Sequence, residues 1–196
     1  MGKLETKQAY HHGDLRSALI DTGLRLIAEK ESGDIGLREV ARETGVSATA
    51  VYRHFPDKHA LLGALAEQGY DKLADDQEAA GARAKSIGEA FRASGRAYVY
   101  FAIANPALFR LMTSRTVSTS DCDSGSVVGE NRAGQLLRDN IAALLPGDAS
   151  DQTKEIAVVQ AFALVHGLAQ LVLAGQVPND PEIIDAAVDQ FGGWEI

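Results

Sequence analysis

The sequence predicts an all-α protein. Three observations carry that prediction: apolar residues recur at spacings of three and four over most of the 196 residues, glycine and proline fall between those stretches, and no alternating strand pattern of useful length appears. Residues 14–30 place Leu15, Leu19, Ile20, Leu24, Ile27 and Ala28 on one helical face. Asp14 is the expected N-cap, and Ser32-Gly33 the expected stop. A short helix over 37–43 sets Leu37, Val40 and Ala41 to one side, with Gly45 after it for a left-handed C-terminal turn. Ser47 caps a second short helix over 48–54, with Val51 and Phe55 turned inward. Pro56-Asp57 breaks the chain, and Asp57 caps a longer helix to about residue 80.

Residues 86–104 read as helix, with Ile87, Phe91, Tyr98, Phe101 and Ala102 on the apolar side. Asn105 ends it, and Pro106 opens a short helix through Thr113. The polar stretch 115–126 reads as a mobile loop. Helices follow over about 127–145, 152–174 and 181–191, which makes about nine in all.

Composition narrows the class. At 45% hydrophobic and 23% charged the chain supports a sizeable core, and no segment has the bias of a disordered tail. No unbroken apolar run reaches a membrane-spanning length, and the first residues lack the apolar stretch of a secretory signal. A single cysteine, Cys122, builds neither a disulfide framework nor a thiolate metal site. A cytoplasmic protein is the expectation. The net charge of −8 is unevenly spread: residues 1–60 hold nine Lys/Arg against nine Asp/Glu, so the whole excess lies beyond residue 60.

The chemistry concentrates in residues 36–58. Ala41, Gly45, Val46 and Val51 supply a small crossing residue, a turn glycine and the apolar residues that lock a second helix. This is the spacing of a helix-turn-helix, whose second helix enters the DNA major groove by its N-terminal end. An ordinary helical hairpin has much the same pattern. The polar residues favour DNA: Ser47, Ala48 and Thr49 lie on the first turn of the second helix, within reach of base edges. Tyr52, His54 and Lys58 are spaced to meet phosphates. A lysine in the first turn of a helix is poorly placed unless an anion comes to it.

Residues 10–62 resemble the DNA-binding domain of the TetR family of bacterial transcriptional regulators, through YHHGDLRSALIDTGLRLI and LREVARETGVSATAVYRHFPDKHALL. The resemblance implies a helix-turn-helix over 36–55, base contacts from Ala48 and Thr49, and phosphate contacts from Tyr52 and Lys58. Gly36 stands where the family commonly has a capping Thr or Ser. AFALVHGLAQLVLAG, residues 161–175, is similar to the ligand-domain motif of a subgroup that pairs a Trp with His-Gly; His166-Gly167 match, and Phe162 replaces the Trp.

The resemblance implies that residues 63–196 form a helical effector-binding and dimerisation domain. Residues about 152–191 would supply the homodimer interface, and a helix apolar on most of its circumference agrees with that. Candidate residues for a small apolar effector are Tyr98, Phe101, Asn105, Phe109 and Met112, with Phe162 and His166. The plainer reading of these aromatics is core packing, and of His166 a bond to a backbone carbonyl across a helix crossing. Catalytic motifs are absent, His11-His12 has no metal-ligand spacing, and Asp121-Cys122-Asp123 has no histidine near it. The expected protein needs no cofactor or metal and binds a palindromic operator as a repressor released by its effector. Its alternatives are an effector-independent DNA-binding dimer and an activator of the same fold.

Overall fold

The computed structural model of the chain describes residues 12–30, 34–114 and 128–190. Among these lie nine helices: α1 (His12–Glu29), α2 (Leu37–Thr44), α3 (Ala48–Tyr52), α4 (Lys58–Gly81), α5 (Ile87–Ala104), α6 (Pro106–Met112), α7 (Arg132–Leu144), α8 (Asp151–Leu173) and α9 (Pro181–Asp189). No strand occurs among the described residues. Two compact units divide between Leu65 and Ala66, inside α4; the sequence places that boundary after residue 62.

In the first unit, Leu19, Ile27, Val40, Val51 and Leu61 are completely or almost completely removed from solvent. Two of the predicted caps in this unit have their bonds. The Ser47 hydroxyl accepts from the Ala50 amide at 3.2 Å, and the Asp57 carboxylate from the Ala60 amide at 2.8 Å. Gly45 adopts φ 77°, and the amides of Gly45 and Val46 close onto Arg42 and Ala41. That left-handed residue aims α3 away from α2, and glycine adopts it without a Cβ penalty. Asp14 is not the N-cap, because α1 is already helical at His12. The predicted stop at Ser32-Gly33 and the loop over 115–126 with Cys122 lie outside the described residues.

The second unit is organised around α5, which packs against α6, α7, α8 and α9. Val128, Ile141, Ala157, Val158 and Ala161 form one buried cluster, with Phe91 and Phe162 packed on it. α7 starts at Arg132 rather than near 127. Asn131 caps it, accepting from the Gly134 amide at 2.9 Å, and the preceding turn lies so close that a Cβ on Gly134 would stand 2.2 Å from the Gly129 carbonyl oxygen. Arg132 then ties α7 to α4, reaching Asp75 at 2.6 Å and Glu78 at 2.8 Å.

α8 is apolar on several sides. Its most apolar 18-residue window has a mean hydropathy of 2.0, long and apolar enough by length and composition to cross a membrane. The sequence reading missed this because a few polar residues interrupt the run. Only 33% of that window is buried within the protomer.

Two glycines of the first unit separate backbone strain from lost space. Gly45→Ala forces a left-handed alanine and lowers stability by about 1–2 kcal/mol. Gly63→Ala, inside α4 with nothing within 4 Å of a new Cβ, raises it by about 0.5–1 kcal/mol. Chemical denaturation followed by circular dichroism checks both signs.

Candidate nucleic-acid interface and ligand cavity

α3 has five residues and one buried side chain, Val51. Its other positions are therefore presented outward. Thr49 and Ser47 are exposed, Ala48 is half-buried, and Tyr52 keeps 47% of its surface. Phe55, 2% exposed, pins the segment after α3, and the Arg16 guanidinium lies 5.4 Å from its ring centroid. Gly36 is the N-cap of α2 with an extended backbone and no side-chain bond, so its outward group is the helix terminus itself. His54 is half-buried, its amide bonded to the Val51 carbonyl.

Lys58 has found an anion within the chain. Its ammonium pairs with the Asp34 carboxylate, which holds Asp34 below the usual carboxylate pKa. Both groups are exposed, so the pair is weak and a phosphate can displace Asp34. The other acids of this face are also partnered: Glu39 with Lys30 at 2.7 Å, and Glu43 with Arg42 at 3.1 Å. Arg38 and Arg53 are exposed and enter none of the ion pairs among the described residues. Sequence reasoning passed over these two arginines. Arg53 directly follows Tyr52 at the end of α3, which was the available signal.

The second unit holds a cavity of about 310 Å³ bounded by α4, α5, the end of α6, α7, α8, the turn before α7 and Val188 of α9. Of the seven residues predicted for an effector, Tyr98, Met112, Phe162 and His166 line it. Phe101, Asn105 and Phe109 do not. Phe101 lies on another face of α5, beside Asp76 and Ala79 of α4. Asn105 donates its side-chain amide to the Phe101 carbonyl at 3.0 Å, closing α5. Phe109 is fully buried behind the wall, its ring 5.7 Å from Tyr98 and 5.6 Å from His166.

The polar groups of the wall are few. The Tyr98 hydroxyl and His166 Nδ1 share a hydrogen bond of 3.0 Å, so His166 bonds a side chain and not the expected backbone carbonyl. Phe162 stacks on the His166 ring at 5.1 Å. Burial keeps both groups uncharged, raising the Tyr98 pKa and lowering that of His166. Tyr70 closes one side by donating to the Met112 carbonyl at 2.9 Å. Among the described residues, Arg92 brings the one permanent charge and no carboxylate lines the cavity. Gln77, 7% exposed, was missed. It follows Leu65, Gly69 and Leu73 at intervals of four, so a polar residue on a buried stripe was the signal.

Comparison with known proteins accords with this geometry. Residues 19–65 match the profile of bacterial regulatory proteins of the tetR family, and residues 91–191 match a tetracyclin repressor-like C-terminal domain. A Rhodococcus sp. RHA1 protein of unknown function is 34% identical, with 95% of this chain and 97% of that one covered at a TM-score of 0.70. A tetR-family transcriptional regulator from Streptomyces coelicolor shares the fold at 21% identity, covering 90% and 80% at 0.65. So does RolR in complex with resorcinol, at 19% identity, covering 93% and 89% at 0.66. The exposed five-residue helix behind a glycine turn has the geometry of a helix-turn-helix. This chain belongs to the tetR family of bacterial regulatory proteins, and it is a DNA-binding transcriptional regulator rather than an enzyme.

The His166 shift has a sign that can be measured. Folding holds the imidazole neutral at pH values where the unfolded chain, with its ordinary pKa of 6.5, takes up a proton. The unfolded state then binds more protons, so this group's contribution is intact above pH 6.5 and declines as pH falls below it. His166→Phe is expected to flatten the fall in melting temperature between about pH 6.5 and 5.5. Equal slopes in the two proteins would contradict the assignment.

Proposed function

We propose that the protein is a homodimeric repressor that binds a palindromic operator through α3 and is released by a small apolar effector held in the second unit. The observation that carries the DNA half is α3 itself, which buries Val51 and turns Ser47, Thr49 and Tyr52 to solvent. On this reading Ser47, Ala48 and Thr49 meet base edges, and Tyr52, His54 and Lys58 hold phosphates, with the Gly36 terminus and Arg53 beside them. Half-sites lie about one helical turn apart.

The dimer reading rests on α8 and α9. Ile156 and Leu171, at 51% and 41% exposure, share a face of α8 with Ala163, Gly167 and Ala174; Ile183 of α9 is 44% exposed. Large apolar side chains flanking small residues suit close packing against a second copy. Ala169 is fully buried within the protomer and takes no part. The effector reading rests on the cavity and on the resemblance to RolR, a protein solved with resorcinol. α4 gives the lever, because its residues Tyr70, Leu73 and Gln77 line the cavity and its first turn carries Lys58. A full reversal of occupancy needs about 5.5 kcal/mol of differential effector affinity between the two conformers.

Fluorescence anisotropy on operator DNA tests the phosphate and base roles separately. Lys58→Ala and Tyr52→Phe are expected to weaken binding on all sequences, with the salt slope falling by about 1 for Lys58. Thr49→Ala changes the ranking of single-base operator variants, and an unchanged ranking overturns base reading by Thr49. Asp34→Asn frees Lys58 and raises affinity a few-fold. Leu171→Glu is expected to convert the dimer to monomer in sedimentation and to remove operator binding with it.

A further inference from the structure

The cavity holds one buried polar atom with nothing to satisfy it. Gln77 donates its Nε2 to the Ser94 carbonyl at 3.3 Å, while its Oε1, on a side chain 7% exposed, has no hydrogen-bond partner among the described residues. The amide cannot gain by turning over, since that would set Oε1 against the Ser94 carbonyl oxygen. A buried acceptor left unpaired costs free energy, and native structures rarely keep one without a reason. Gln77 is among the residues that line the cavity, so a bound molecule there is the nearest source of a donor once the amide turns toward it.

Resting on the effector reading above, we infer that the cavity takes an uncharged hydroxylated aromatic whose O–H donates to Gln77 Oε1, and that Gln77 determines this specificity. The surroundings fix the rest of the ligand. Phe91, Phe162, Leu73 and Val188 give an aromatic and aliphatic wall for a flat apolar body. Arg92 in the wall, with no carboxylate beside it among the described lining residues, opposes a protonated amine as the donor. Tyr98 and His166 Nδ1 share one hydrogen bond, and the Gln77 oxygen is the buried side-chain acceptor without a partner among the described residues.

Titration calorimetry on the full-length protein, with 1-naphthol and 1-methoxynaphthalene as matched probes, tests the inference. The two share a ring system, and only the first carries a donor. The wild type is expected to bind 1-naphthol about tenfold more tightly, the value of one buried hydrogen bond. Gln77→Met keeps the length and volume of the side chain and removes the acceptor. In that variant the methoxy compound still binds and the preference falls to near one. Equal wild-type affinities, as when a retained water satisfies Oε1, overturn the inference and leave the effector reading standing. A preference that survives in Gln77→Met overturns the role of Gln77. Binding of neither probe to the wild type overturns both.

Discussion

A five-residue helix has no stability of its own, because it is shorter than the length at which hydrogen bonds outweigh the cost of nucleation. α3 exists because the chain on either side of it is fixed. Gly45 turns the backbone through the left-handed region, Ser47 caps the new helix, and Val51 with Phe55 anchors it in the core of the first unit. Everything proposed for DNA follows from that constraint. A helix anchored by one face and one end must offer its remaining side chains to solvent, and here those are the groups suited to base edges and phosphates.

The electrostatics of the first unit are those of a face poised for exchange. Asp34, Glu29, Glu39 and Glu43 are matched to cations, and the first-turn lysine of α4, Lys58, rests on Asp34 until a stronger anion arrives. These are exposed pairs that cost little to break. The second unit is arranged differently. Its cavity wall holds buried polar groups that have to be paired, and the unpaired Gln77 oxygen stands out against that rule.

The sequence disclosed the first unit more fully than the second, for a physical reason. Caps, turn glycines and short amphipathic helices are local, and Ser47, Asp57 and Gly45 could be read from their neighbours alone. The cavity is assembled from α4, α5, α7 and α8, and helical spacing gives a residue's face without saying what that face meets. Phe101 and Phe109 share apolar stripes with Tyr98 and Met112, yet only the latter two face the cavity. The start of α7 was misplaced because a turn packed against Gly134 is a tertiary fact. Gln77 was legible in principle as a polar residue within a buried stripe, and Arg53 as a cation beside Tyr52.

The central claim is that α3 reads DNA sequence from a dimer. Selection from a random duplex library at about 0.15 M salt, with the molar mass of the selected complex measured by light scattering, tests it most directly. The account predicts one enriched palindrome with half-sites about a helical turn apart, bound by two copies of the chain. A library that emerges unenriched, with affinity confined to low salt, would contradict it.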